Sequence, residues 1–379
     1  MTPPRFIPVS EPDIGELEVR YVTEAVRSGW VSSIGPFVER FEADFAKFCQ
    51  VKHAIAVSNG TTALHVALLA LGVGPGDEVI IPDLTFVATG NAVLYCGAKP
   101  VLVDVSPDTW CIDPAEVERA ITPRTKVILP VHLYGHPADM DAILALARPR
   151  DIAVLEDAAE AHGAKCRGRV VGGIGDIGCF SFYGNKILTT GEGGMVTTND
   201  DHLAARVRFL KDHAMDPNRR YFHPEVGHNY RMTNIQAALG CAQLERADEL
   251  LAKRRRVMDA YREGLSGLDG VHLNPHAAWA DPVPWMVCLV QDRVAIDLLA
   301  ARLREQGIDT RPFFVPMHEL PAFQSSTHPA FQVSNYLANA GLNFPSFPGL
   351  PGADVTACCQ ITVELLTMTN GIQLARGRE

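Results

Sequence analysis

Short apolar runs alternate with helical patterns between about residue 50 and residue 200, and this alternation constrains the fold more than any other feature. The apolar runs are rich in β-branched residues and predict five strands, at Ala54–Val57, Glu78–Ile81, Pro100–Val105, Lys126–Leu133 and Ile152–Leu155. The segments between them repeat apolar residues at helical spacing and predict helices at Thr61–Leu71, Thr85–Cys96, Pro114–Ile121 and Ala138–Ala147. Near-continuous apolar strands joined by helices indicate an α/β fold with a mostly parallel sheet that helices cover on both faces.

The rest of the chain predicts a second, smaller unit. Strands at Cys179–Tyr183 and Met195–Thr198 close the first region, and a long helix from Asn234 to about Gly264 leads out of it. The segments after this helix indicate an α+β unit, with strands at Trp285–Val290 and near Thr310–Val315 and helices at Val294–Gln306 and Asp354–Leu366. A length of 379 residues also suggests about two domains. We therefore expect a large domain at residues 1–250 and a small C-terminal domain at residues 251–379.

Composition excludes several classes of protein. A net charge of −10 argues against a nucleic-acid-binding protein. No run approaches the ~20 apolar residues of a membrane-spanning helix, and the acidic N-terminal segment lacks the features of a secretory signal. The nine cysteines are scattered and form no Cys-x-x-Cys pair, so we expect a reduced, cytoplasmic protein. The basic run Lys253–Arg256 is typical of a solvated helix face.

Three segments at predicted strand ends carry candidate chemistry, since open parallel sheets bind ligands there. Ser58–Thr62 opens a helix and is either an anion site or an ordinary N-cap. Asp157 ends an apolar strand, so it either caps a helix or meets a cationic ring nitrogen. Lys186 lies in a glycine-rich turn and is either a surface residue or an amine whose pKa is depressed by burial. His132 and His136 are four residues apart, but Gly135 and Pro137 do not suit a zinc-binding helix, and we expect no metal site.

Taken together, these motifs resemble one family. The residues that carry the resemblance are Glu156-Asp157, Phe182–Lys186 and Thr190–Gly194. They are similar to the sugar-nucleotide aminotransferases of the DegT/StrS family, which have fold type I and use pyridoxal 5′-phosphate. The likeness extends from Ile7 to about Leu366. Four further segments resemble the members that act on GDP-linked sugars: Trp30–Gly35, Val131–Pro137, Met215–Tyr221 and Asn229–Asn234.

The resemblance implies a role for each matching residue. Lys186 would be the catalytic Schiff-base lysine, and Asp157 would bind the pyridine N–H of the cofactor. Phe86 would stack on the cofactor ring, and Glu160 would lie near its phenolic oxygen. Gly60, Thr61 and Ser181 would hold its phosphate. Asn229 would reach the phosphate of a neighbouring subunit, which implies a homodimer or a higher homo-oligomer with shared active sites.

The resemblance also implies a substrate. The expected reaction moves an amino group from L-glutamate to GDP-4-keto-6-deoxy-D-mannose, with Trp30, Arg219, Arg311 and His318 as candidate substrate-binding residues. Arginine suits the diphosphate because its guanidinium binds phosphate oxygens in pairs. The alternatives are another nucleotide-linked keto sugar (dTDP or UDP) or a keto cyclitol. Related dehydratases carry histidine in place of the lysine, and a binding protein that had lost catalysis would not need Lys186 and Asp157.

Overall fold

The computed structural model describes residues 6–324 and 330–376, with side chains up to residue 367. Fourteen strands lie in these ranges, in chain order β1–β14: His53–Val57, Glu78–Pro82, Lys99–Val103, Thr125–Ile128, Ala153–Asp157, Lys165–Cys166, Arg169–Val170, Ile177–Ser181, Gly194–Thr198, Val271–Leu273, Ala280–Asp281, Val287–Gln291, Arg311–Pro312 and Gly341–Phe344. The same ranges contain twelve α-helices, α1–α12: Glu16–Arg27, Pro36–Cys49, Gly60–Ala70, Ala88–Tyr95, Pro114–Ala120, Met140–Ala147, Asp201–Lys211, Asn234–Glu245, Ala247–Gly264, Ile296–Glu305, Gln332–Ala340 and Gly352–Arg376.

The central sheet has seven strands in the order β1-β9-β8-β5-β4-β2-β3. Strand β9 pairs antiparallel with both of its neighbours, and the other pairs in the sheet are parallel. Two apolar clusters, one on each face, bury the sheet beneath helices. The predicted α/β fold with a mostly parallel, helix-covered sheet is therefore confirmed.

Two helices precede the first predicted strand, and the second shows why they form. Helix α2 begins with Pro36, whose fixed φ suits the first helical position, and ends at Gln50 in the left-handed conformation. Phe37, Phe41 and Phe45 recur every four residues and are buried, so they form one apolar face. This face packs into the cluster that also contains Phe180 and Phe182 of the central sheet.

The bounds of several predicted elements differ from the structure, and two of these differences involve a turn and a helix break. The fourth strand was expected to reach Leu133, but it ends at Ile128, and the chain turns at Leu133–Gly135, where Tyr134 has a φ of 52°. The long helix was expected to be continuous, but it is interrupted at Arg246, which has φ and ψ of −95° and 7°. Arg246 forms ion pairs with Asp13 and Glu18 of the N-terminal segment, so a tertiary contact coincides with the break.

A second sheet follows helix α9, in the order β10-β12-β14-β13, with antiparallel pairing between each pair of neighbours. Helices α9, α10 and α12 pack against it through a third apolar cluster. The chain's N-terminal segment joins this unit, because Ile7 forms a parallel bridge with Ile308. A domain boundary at residues 250 and 251 stays a prediction. In the described part of the chain, no helix is long and apolar enough to cross a membrane.

Candidate active site

Segments from the carboxyl ends of several strands enclose one cavity of about 400 Å³. Strand β1 leads into the start of α3, strand β5 ends at Asp157, and strand β8 ends at Ser181. Trp285 and Phe314 close the cavity from the second sheet unit. The cavity thus contains most of the predicted cofactor residues: Gly60, Thr61, Phe86, Asp157, Glu160, Ser181 and Lys186.

Lys186 lies in the turn between β8 and β9, where its backbone N–H donates to the Tyr183 carbonyl at 2.8 Å. Only 11% of its side chain is exposed, and its Nζ is 3.6 Å from the Glu160 carboxylate. The Nζ also lies 3.7 Å from the centre of the Trp285 ring. Burial lowers the pKa of Lys186, while Glu160 and Asp157 oppose this effect by favouring the charged amine. The result is a lysine amine that is both enclosed and available as a base or nucleophile.

Asp157 is buried at the end of β5. Its Oδ2 accepts a hydrogen bond from the Thr89 hydroxyl at 2.8 Å, and its Oδ1 accepts one from the Ala159 N–H at 3.2 Å. Burial raises the pKa of Asp157, and these two donors together with Lys186 counteract part of that rise. The carboxylate is therefore fixed in position, and a cationic partner in the cavity would stabilise its charged form.

Glu160 also lines the cavity and is buried beside the lysine. Its Oε2 accepts the Tyr134 N–H at 2.8 Å, which the left-handed turn at Tyr134 directs towards it. Burial raises the pKa of Glu160 to about 7, with Lys186 as the largest opposing influence. A glutamate with a pKa near neutrality can accept or donate a proton under ordinary conditions.

The start of α3 forms a cradle suited to an anion. Asn59 caps the helix by accepting the Thr62 N–H at 2.9 Å, and the N–H groups of Gly60 and Thr61 lie in the first turn, where a helix offers them no acceptor. A Cβ on Gly60 would lie 2.7 Å from the Ser181 Cβ, so the close approach of these two segments requires glycine. The dipole of α3 adds a favourable field for negative charge.

Aromatic rings form the walls of the cavity. Phe86 is 52% exposed, lines the cavity and lies 5.7 Å from Phe314 between ring centres. Tyr134 stacks against Phe314 and Trp285 behind this wall. A flat aromatic ligand could therefore pack against Phe86.

The predicted substrate residues occupy different places. Arg311 lines a groove of about 740 Å³ that shares Tyr183, Asn185, Trp285 and Phe314 with the cavity. His318 follows this segment, and its Nδ1 pairs with the buried Asp83 at 2.8 Å. Trp30, Arg219 and Asn229 are exposed and are not among the residues that line the cavity of this chain.

The two histidines considered for zinc are engaged within the protein. His132 hydrogen bonds to Glu156 at 3.1 Å and accepts the Ala138 N–H at 3.0 Å. His136 contacts the Pro137 carbonyl through one ring nitrogen and accepts the Ala277 N–H through the other. Both ring nitrogens of each residue therefore have hydrogen-bond partners.

The cavity's lysine, aspartate and anion cradle can be compared with known proteins. The chain matches the DegT/DnrJ/EryC1/StrS aminotransferase family over residues 12–362. The chain belongs to this family. The prediction of a pyridoxal-phosphate-dependent sugar-nucleotide aminotransferase is thereby confirmed.

Relatives of this aminotransferase include two bacterial enzymes and a solved structure. The GDP-perosamine synthase of Caulobacter vibrioides is 51% identical over 358 residues, which cover 92% of this chain and 95% of that protein. The GDP-perosamine synthase of Escherichia coli O157:H7 is 44% identical, with coverage of 94% and 97%. The crystal structure of S. venezuelae DesV in complex with a ketimine intermediate has a TM-score of 0.87 at 39% identity, with coverage of 92% and 94%.

The residues of this aminotransferase fit its cofactor. The first-turn N–H groups of α3 suit the phosphate, and the buried Asp157 suits a cationic pyridine N–H. Asn185 lies between the cavity and the groove, and its side-chain oxygen is buried without a hydrogen-bond partner among the described residues. This oxygen is therefore available to accept a hydrogen bond from a group in the cavity or the groove.

Several residues of the site were not found from the sequence. Thr89 holds Asp157, Trp285 lies under the lysine amine, and Arg254 hydrogen bonds to the Lys186 carbonyl at 3.2 Å. Thr89 could have been suggested by its place one turn after Phe86. No local pattern distinguishes Trp285 or Arg254, because their contacts join segments about 100 and 68 positions apart in the chain.

Proposed function

We propose that this aminotransferase transfers the amino group of L-glutamate to GDP-4-keto-6-deoxy-D-mannose and thereby forms GDP-perosamine. The observation that carries the proposal is a similarity of 51% identity, over 92% of this chain, to a GDP-perosamine synthase. The enclosed Lys186 amine, within reach of Glu160 and beside Asp157, supports the chemistry of amino transfer.

Pyridoxal phosphate, when bound, supplies an electron sink and carries the amino group between the donor and the acceptor. Lys186 would bind the cofactor covalently and, once released, would move a proton with its neutral amine. Its depressed pKa favours that neutral form. Asp157 would hold a proton on the pyridine nitrogen, because its buried carboxylate is stabilised by a cationic partner.

The residues around these two groups would orient the cofactor and exclude water. Gly60, Thr61 and Ser181 would bind the phosphate through N–H and hydroxyl groups. Phe86 would cover one face of the ring. Glu160 would sit beside the phenolic oxygen, and its carboxylate, 3.6 Å from the Lys186 Nζ, would form an ion pair with the charged amine.

The groove beside the cavity would receive the nucleotide sugar. It opens next to Tyr183, Asn185 and Trp285, so a keto group placed there would be close to Lys186. Arg311 would offer its guanidinium to the diphosphate, and His318, together with Trp30 and Arg219, would contribute to the substrate site. We further infer that the active unit is a homodimer in which Asn229 of one chain acts in the site of the other.

A substrate panel tests this function. The purified protein, loaded with pyridoxal phosphate and L-glutamate, would be assayed with GDP-4-keto-6-deoxy-D-mannose and with dTDP- and UDP-linked keto sugars. We expect kcat/KM to be at least ~10-fold higher for the GDP sugar, a difference of about 1.4 kcal/mol in transition-state binding. Lys186→Ala is the control and should show no turnover. If a dTDP- or UDP-linked sugar is preferred tenfold, the substrate assignment is wrong, although the family is unchanged.

A further inference from the structure

Arg254 of helix α9 is a buried cation without a carboxylate partner. Only 2% of the residue is exposed, whereas the neighbouring Arg256 on the same helix is exposed. In the described part of the chain, no acidic side chain forms an ion pair with Arg254. The interpretation of the basic run as a solvated helix face is therefore wrong at this position.

The guanidinium of Arg254 instead binds three backbone carbonyls from three separate segments. One Nη donates to the Trp285 carbonyl at 2.6 Å and to the Ser346 carbonyl at 3.1 Å. The other Nη donates to the carbonyl of Lys186 at 3.2 Å. The planar guanidinium holds its N–H groups in fixed directions and can bind several acceptors at once. A lysine ammonium on a flexible side chain does this less well.

Two of these three segments carry the lysine and the ring beneath it. Trp285 places its ring 3.7 Å from the Lys186 Nζ, and its indole N–H donates to the Asn185 carbonyl at 2.8 Å. The peptide chain at Asn185 and Lys186 is thus held by Trp285 at one carbonyl and by Arg254 at the next. Arg254 also donates to the Trp285 carbonyl. Hydrogen bonds therefore link Arg254, Trp285 and the chain at Asn185 and Lys186 to one another.

Burying a cation among neutral carbonyls is costly, and burial lowers the pKa of Arg254 to about 9. A neutral side chain of similar size would avoid this cost. The charge does have one effect on the site, because it opposes protonation of Lys186 and helps to lower the pKa of that amine. The groups that act on Lys186 in the opposite direction are Glu160 and Asp157.

We propose that Arg254 is a positioning residue for Lys186, whose guanidinium fixes the lysine main chain and the Trp285 ring so that the amine points into the cavity. This proposal rests on the proposed role of Lys186 as the cofactor-binding lysine. It does not depend on which sugar is the substrate.

The first test measures the pKa of the Lys186 amine. Full-length protein without cofactor would be labelled competitively with acetic anhydride at a series of pH values, and peptide mass spectrometry would give the pKa of Lys186. Arg254→Met removes a nearby positive charge, so the pKa of Lys186 should rise, by about half a unit or more. Arg254→Lys retains a basic group at this position, so the rise in this pKa should be no larger than in Arg254→Met. Arg256→Met, an exposed change on the same helix, is the control and should resemble the wild type.

A second measurement, the rate of cofactor release, tests whether Arg254 positions Lys186. Pyridoxal phosphate release, followed by the visible absorbance of the loaded protein, should be at least ~10-fold faster in Arg254→Met and Arg254→Lys, because methionine donates no hydrogen bond and the lysine ammonium lacks the planar fork that reaches carbonyls of three segments. A folded Arg254→Met protein with the wild-type Lys186 pKa and wild-type release would overturn the proposal. If that variant does not fold, wild-type release from Arg254→Lys would overturn it. Borohydride reduction that labelled a lysine other than Lys186 would instead overturn the proposed role of Lys186 as the cofactor-binding lysine.

Discussion

At the scale of single residues, the site depends on two buried groups that influence each other's charge. Glu160 favours the protonated form of Lys186, and Lys186 favours the ionised form of Glu160. Burial acts against both charges, which brings the glutamate pKa up to about 7 and moves the lysine pKa down. Burial therefore acts on both groups in the direction of their neutral forms, and each group's charge opposes that effect on the other.

The change Glu160→Gln tests this coupling. It removes the largest attraction for the Lys186 ammonium but leaves an amide oxygen for the Tyr134 N–H. Since a carboxylate raises the pKa of a neighbouring amine, its loss should lower the pKa of Lys186 further, by about one unit. Competitive labelling of Lys186 against pH measures the shift, and Glu192→Gln at the rim of the cavity is the matched control. An unchanged or higher pKa in Glu160→Gln would contradict the coupling.

The site residues that were predicted from the sequence differ in their surroundings from those that were not. Asp157 ends the apolar strand β5 and Lys186 lies in the turn after the apolar strand β8, and a charged group in such a position stands out in the sequence. Arg254 lies in a run of four basic residues, and the sequence alone does not distinguish it from its solvated neighbours. Its burial is decided by how α9 packs against the second sheet unit, which is a tertiary effect.

At the scale of elements, close packing at the start of helix α3 restricts which residues can occupy this part of the site. Gly60 meets Ser181, and Gly194 lies so close that an added Cβ would be 2.3 Å from the Asn59 carbonyl oxygen. Strands β8 and β9 therefore pack directly against the anion cradle at the start of α3. Small residues are required at these points because the segments approach within backbone contact.

Gly60→Ala should weaken the fold and cofactor binding together. The added Cβ would lie 2.7 Å from the Ser181 Cβ, so either the helix start or β8 must move, at a cost of about 1–3 kcal/mol. Urea unfolding without cofactor would measure the first effect, and titration with pyridoxal phosphate the second. Gly74→Ala is the control, because an added Cβ there meets nothing within 4 Å. Equal stability and affinity in the two variants would refute the packing argument.

The elements themselves were predictable where their residues are buried on every side. All seven central strands were expected, since strands that helices cover on both faces, such as β2 and β8, are continuous apolar runs. The interruption at Arg246 was not, because the local pattern of α8 and α9 remains helical across it. That break accompanies ion pairs with residues more than 200 positions earlier in the chain.

At the scale of the whole molecule, Asn229 lies outside the cavity of its own chain. It is exposed, and its side-chain oxygen accepts a hydrogen bond from Arg231 at 3.2 Å. An exposed residue with a proposed cofactor role is understandable if a second copy of the chain completes the site. This assignment came from the family resemblance and could not be derived from the residues alone.

Mixed oligomers test the shared site. Inactive Lys186→Ala and Asn229→Ala chains, co-expressed in equal amounts, should regain about one quarter of wild-type activity, because half of the dimers are hybrids with one intact site. A mixture of Lys186→Ala with Asp157→Ala should regain none, since those residues line the same cavity in one chain. Full activity of a monomer at high dilution would contradict a shared site.

The position of strand β9 in the chain determines when the central sheet can be completed during synthesis. Strand β1 pairs in the central sheet only with β9, whose register joins His53 to Thr198 and Val57 to Gly194. During synthesis the residues of β1 are therefore made well over a hundred residues before those of β9, and their main-chain groups lack a partner strand in the meantime. An unpaired strand of this kind is prone to pair with other chains, so the growing polypeptide is most vulnerable to aggregation before β9 is made.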